Sequence, residues 1–104
     1  MEDMIRRLAE MALEESESAC HYAKRAAIHK EDYQGLAQAL YDISGQEQNH
    51  AAMLAGEAKK LLEKLETEDE AAYDRARTIY EYLREKWVEH LNAAKTYQAQ
   101  YRGG

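Results

Sequence analysis

Residues 36–54, LAQALYDISGQEQNHAAML, carry Leu36, Leu40, Ile43 and Leu54 on one stripe of alternating three- and four-residue steps. That spacing predicts one face of an α-helix. Two positions on the same stripe, Glu47 and His50, are polar. Acidic side chains are almost never buried unpaired, so a carboxylate on a core-facing stripe calls for a compensating partner.

Working outward, Leu61 and Leu65 continue the stripe, and the spacing predicts a helix over residues 33–65 with Asp32 as its N-cap. Upstream, Ile5, Leu8, Ala12, Glu15, Ala19, Tyr22, Ala26 and His29 predict a first helix over residues 3–29. This register puts Glu15 on the seam and leaves Glu14 and Glu17 off it. Downstream, Thr67-Glu68-Asp69-Glu70 reads as a capping box. The third helix is then expected over residues 68–101, with Tyr73, Ala76, Tyr80, Leu83, Trp87, His90, Ala94, Tyr97 and Tyr101 on its stripe. Breaks this short force antiparallel neighbours. The expectation is an all-α, antiparallel bundle of three long helices, one domain over residues 1–104.

Composition supports this reading. The chain has 104 residues and no proline, and good helix formers dominate it. Gly45 and Gly56 fall inside the second helix; Gly45, close to Glu47, reads either as a site of close packing or as tolerated. Eight tyrosines and no phenylalanine suit wet or subunit-facing surfaces, or support of a polar site. A net charge of −6 argues against binding a nucleic-acid backbone, which needs a basic face. No apolar run approaches a membrane span, and Met1-Glu2-Asp3 does not open a signal peptide. The single cysteine, Cys20, forms no internal disulfide and fits a reducing compartment as a buried, inert thiol. A cytoplasmic location is expected.

The spacing also predicts where the polar seam residues meet. With the first turn centred near Glu31, Glu15 and Glu47 are equidistant from it, so both carboxylates arrive at the same height. His50 shares the face of Glu47. Two carboxylates and an imidazole suit Fe(II), Mn(II) or Zn(II). The competing readings are a buried ion pair with His50 protonated between the glutamates, and a looser, hydrated cluster. Reflection through a second turn near Thr67 brings Glu85 and Trp87 to the level of the site, Trp87 as a core filler. His90 reads as a core histidine, and as a reserve ligand if one chain binds a metal alone. Glu57 is expected to pair with Arg6 or Arg7.

These residues resemble the ferritin-like superfamily, particularly rubrerythrin-type bundles and small encapsulated ferritins. The resemblance rests on Glu15 followed seven residues later by Tyr22, and on Glu47-Gln48-Asn49-His50-Ala51-Ala52-Met53-Leu54; it covers about residues 8–54. It implies iron as the cofactor, with manganese or zinc as alternatives, and a half-bundle that completes a di-iron site by dimerising, at least as a homodimer. Two copies would supply four glutamates and two histidines. In that scheme Glu47 bridges, Glu15 and His50 are terminal ligands, and Tyr22 supports the site. The implied activity is ferroxidase-type oxidation of Fe(II) by dioxygen or peroxide. The third helix departs from the family pattern, offering no Glu-x-x-His, and no cargo-targeting peptide is read after Tyr101. The alternative function is a non-catalytic helical interaction module on the same scaffold.

Overall fold

The computed structural model describes residues 1–103, which form α1 (Glu2–Ile28), α2 (Gln34–Glu68) and α3 (Glu70–Tyr101). The all-helical expectation holds, with helix ends shifted by at most three residues. A helix the length of α2 spans about 52 Å, and the molecule is a rod of 54 × 17 × 17 Å. The helix α1 packs along both others, whereas α2 and α3 touch much less. No helix is long and apolar enough to cross a membrane.

Ile5, Ala12, Ala19, Ala26 and Leu65 of the expected stripes are buried, and the remaining positions of α1 and α2 shift in a consistent way. In α1 the core takes Ile5, Ala9, Ala12, Ser16, Ala19, Ala23 and Ala26. Leu8, Glu15 and Tyr22 flank that line, half-buried. In α2 the buried line is Ala37, Ser44, Ala51, Ala58 and Leu65, together with Leu62. The stripe of Leu36, Leu40, Ile43, Glu47, His50 and Leu54 lies beside it, half-buried or exposed. Small side chains occupy the centre of the α1–α2 contact, so the backbones can approach and the larger side chains move to its edges. In α3 the expected Ala76, Tyr80, Trp87 and Ala94 are buried, joined by Ala72 and Gln98. Trp87 is the core filler expected, meeting Tyr80 edge-on with ring centroids 5.4 Å apart.

Both expected caps are replaced. The residue before α2 is Tyr33, with no side-chain cap, and Asp32 faces His29 instead, Oδ1 to Nδ1 3.4 Å. α2 continues through Thr67, whose hydroxyl donates back to the Lys64 carbonyl. The break before α3 shrinks to Asp69, extended at φ −156°, ψ 97°, with its carboxylate accepting from the Ala72 N–H. An aspartate is a strong N-cap, and here it displaces the threonine two residues earlier. A Cβ added at Gly45 or Gly56 would meet open space, so neither glycine marks a close approach.

The ends are tied by side chains. Arg75 donates to both Glu2 oxygens at 2.8 and 3.1 Å, and this pairing lowers the pKa of Glu2. At the other end Lys30 donates to the Gln100 carbonyl, Tyr101 stacks on Tyr41, and the Tyr101 hydroxyl donates to Gln38. Between the ends lies a buried polar layer. The Ser44 hydroxyl donates to the Ala19 carbonyl at 2.7 Å, and the Gln98 amide donates to Ser44 Oγ and Gln48 Oε1, both at 3.0 Å. This one chain of hydrogen bonds links all three helices.

Candidate metal centre

The break between α1 and α2 sets the level of the site. It runs from His29 to Tyr33 and is centred on Glu31, so positions equidistant from it meet. Glu15, Glu47 and His50 come together, each offering one ligand atom, and these atoms all lie within 4.8 Å of one another. His50 Nδ1 is 3.8 Å from Glu15 Oε2 and 3.9 Å from Glu47 Oε1.

These separations can be compared with what each reading requires. A hydrogen-bonded ion pair needs contacts of about 2.7–3.2 Å, and both contacts are longer. Ligand atoms each about 2.1 Å from one shared cation lie about 3.0–3.4 Å apart at octahedral or tetrahedral angles and about 4.2 Å apart across it. The observed spread, up to 4.8 Å, is wider, so the side chains would have to close in to hold an ion. Glu15 Oε2 is a buried atom with no hydrogen-bond partner, and among the described residues neither glutamate pairs with lysine or arginine. A cation bound here would supply the missing partner. The donor set, two hard carboxylates and one imidazole, fits iron, manganese or zinc.

The site is not the deeply buried seam the spacing implied. The side chains of Glu15, Glu47 and His50 are 31%, 23% and 54% exposed. Met11, Glu15, His50, Met53, Leu54 and Glu57 line a recess open at the rod's surface. Rotating the α1 core onto Ala12, Ser16 and Ala19 turns Glu15 to the edge of the contact, where the three groups still converge.

The remaining candidates lie elsewhere. Tyr22 sits two turns along α1 from Glu15, about 10 Å, edge-on to His21. Tyr22 and His90 line a separate recess with Glu17, Ser18, Cys20, His21 and Lys24, and His90 is not among the converging ligand atoms. The expected support from Tyr22 and the reserve role of His90 therefore find no contact at this centre. Glu85 is exposed. Glu57 pairs with Lys60 at 3.1 Å and Arg6 faces Asp3 and Glu10, so each takes a partner on its own helix. Cys20 is half-buried, and that burial raises its thiol pKa.

Comparison with family models, curated proteins and solved structures finds no match. The functional reading therefore rests on the geometry of the centre.

Ser44, Gln48 and Gln98 are the polar residues that reading by bulk passed over. For two of them the signal was present: Ser44 continues the small-residue heptad of Ala37, Ala51 and Ala58, and Gln98 follows Trp87 and Ala94 on the buried line of α3.

Proposed function

We propose that this chain binds a divalent transition metal through Glu15, Glu47 and His50, and that it works as a ferritin-like half-bundle oxidising Fe(II) with dioxygen or peroxide. The observation carrying the proposal is the buried, unpartnered Glu15 Oε2 beside two further ligand atoms at near-coordination spacing. Three protein ligands leave a metal's coordination unfilled, so a second copy is proposed to complete it about a two-fold axis.

The surface around the centre suits that partner. Met11 and Met53 line the recess and are 45% and 69% exposed, and the exposed Met4 and Leu36 extend this apolar surface about 16 Å along α1 and α2 in opposite directions. Isologous contact would bury them together with the open side of the centre. In the assembled bundle α1 and α2 form an antiparallel hairpin presenting both glutamates inward. Glu15, Glu47 and His50 of each copy would hold the metal there, with Glu47 the residue that would be shared between the two copies. Bound Fe(II) supplies the electrons for reducing the oxidant; the chain fixes the ligands and, on dimerising, excludes bulk water from them.

The test is metal analysis of protein purified without chelator, followed by absorbance-monitored Fe(II) oxidation. Stoichiometric iron, lost in both Glu47→Ala and His50→Ala, is the expected result. A metal-free dimer whose thermal stability is unchanged by either substitution would instead identify a helical interaction module.

A further inference from the structure

The helix α3 contributes no ligand to the metal centre, yet it reaches the ligand-bearing segment of α2 through one buried side chain. Gln98 is 8% exposed and Ser44 fully buried. The two donations from the Gln98 amide end on Ser44 Oγ and Gln48 Oε1, and Ser44 passes its own hydrogen to the Ala19 carbonyl. These contacts bracket the ligands. Ala19 is one turn from Glu15, Ser44 is one turn before Glu47, and Gln48 is the next residue after it. Each bond in such a chain polarises the next, and in a buried layer any broken link leaves a polar group short of a partner.

The layer therefore resists the two motions that would open the centre. Sliding α2 along α1 would pull Ser44 off the Ala19 carbonyl. Turning α2 about its axis would carry Gln48 away from Gln98 and swing Glu47 and His50 relative to Glu15. Other polar links from α3 fall far from the ligands, among them Tyr101 to Gln38 and Lys30 to Gln100 at one end and Arg75 to Glu2 at the other.

We propose that Gln98 is a positioning residue for the metal centre, holding α2 in the register and rotation at which Glu47 and His50 face Glu15. The inference rests on the metal-binding reading above and adds α3 to it as the helix that sets ligand geometry from behind.

The experiment titrates the metal-free full chain with Co²⁺ and follows its visible absorption, which reports both affinity and coordination geometry. Gln98→Leu keeps the side-chain volume and removes both donors. It is expected to weaken Co²⁺ binding by about tenfold or more, the usual cost of losing a group that orients a metal ligand, and to shift the absorption band. Tyr101→Phe, which removes an α3 hydrogen bond far from the centre, should leave affinity and band unchanged. Equal weakening in Tyr101→Phe would reduce Gln98 to general docking of α3 and overturn the proposal. Wild-type affinity and spectrum in Gln98→Leu would also overturn it, with the metal-binding reading intact. If Gln98→Leu does not fold, Gln48→Ala decides: weakened binding with a shifted band supports the proposal, and an unchanged titration overturns it. Failure of the unsubstituted chain to bind Co²⁺ would remove the metal-binding reading, and this proposal with it.

Discussion

Substituting Glu15 by glutamine should stabilise the metal-free protein and destabilise the metal-loaded one relative to wild type. The ligand oxygens of Glu15 and Glu47 lie no more than 4.8 Å apart. Like charges at that distance repel by about 0.9 kcal/mol in a water-like medium and about 3.5 kcal/mol at an effective dielectric of 20. The side chains are 31% and 23% exposed, which places the repulsion toward the lower figure. Glutamine removes one charge, keeps the shape and can donate to Glu47. A gain of about 1 kcal/mol in a domain of this size raises Tm by about 4–8 °C. The assay is thermal unfolding with EDTA at about pH 8.5 and fixed protein concentration. With Mn²⁺ at about a hundred times its Kd, wild type should gain about 2.7 kcal/mol, and the variant much less. The order of the two Tm values then reverses. A variant less stable than wild type in EDTA, or a wild-type Tm indifferent to Mn²⁺, would refute the reasoning.

Further outcomes follow from other parts of the rod. Gly56→Ala meets open space on an exposed helical position and should add about 0.5–1 kcal/mol, read from a higher urea midpoint at unchanged slope. The Glu2 carboxylate, lowered by its hydrogen bonds from Arg75, contributes stability that is present above its unfolded value and lost as pH falls through the folded one. The difference in urea stability between wild type and Glu2→Gln should therefore be visible at neutral pH and vanish in acid; a gap persisting at low pH would contradict the pairing. Cys20, raised by burial, holds less thiolate near pH 8 than a free thiol. Its iodoacetamide alkylation should lag a model thiol there and catch up only in more alkaline buffer.

The sequence was legible where pattern and backbone agree. The absence of proline, the three- and four-residue steps and the short breaks predicted all three helices, and symmetric counting about Glu31 predicted that Glu15, Glu47 and His50 would meet. The rotation of the helices was not legible from bulk. Leu8, Tyr22, Leu36 and Leu40 look like core residues by size, yet the bundle buries Ala9, Ser16, Ala23, Ala37 and Ser44 and leaves the larger side chains at the edges. Close approach of two backbones favours the smallest side chains at the centre of the contact, so the heptad of alanine and serine was the truer guide. That rotation moved Glu15 from seam to flank and brought Ser44 and Gln98 into the interior. The convergence of Glu15, Glu47 and His50 survived because its level depends on the turn, and the three groups all sit on the same edge of the α1–α2 contact.

The most direct measurement is anomalous diffraction at the iron edge from crystals grown with Fe(II) under anaerobic conditions. The account predicts a peak bounded by Glu15, Glu47 and His50, with its twin across a two-fold axis between two copies. Well-ordered crystals with no peak there, or with iron bound only at other groups, would contradict it.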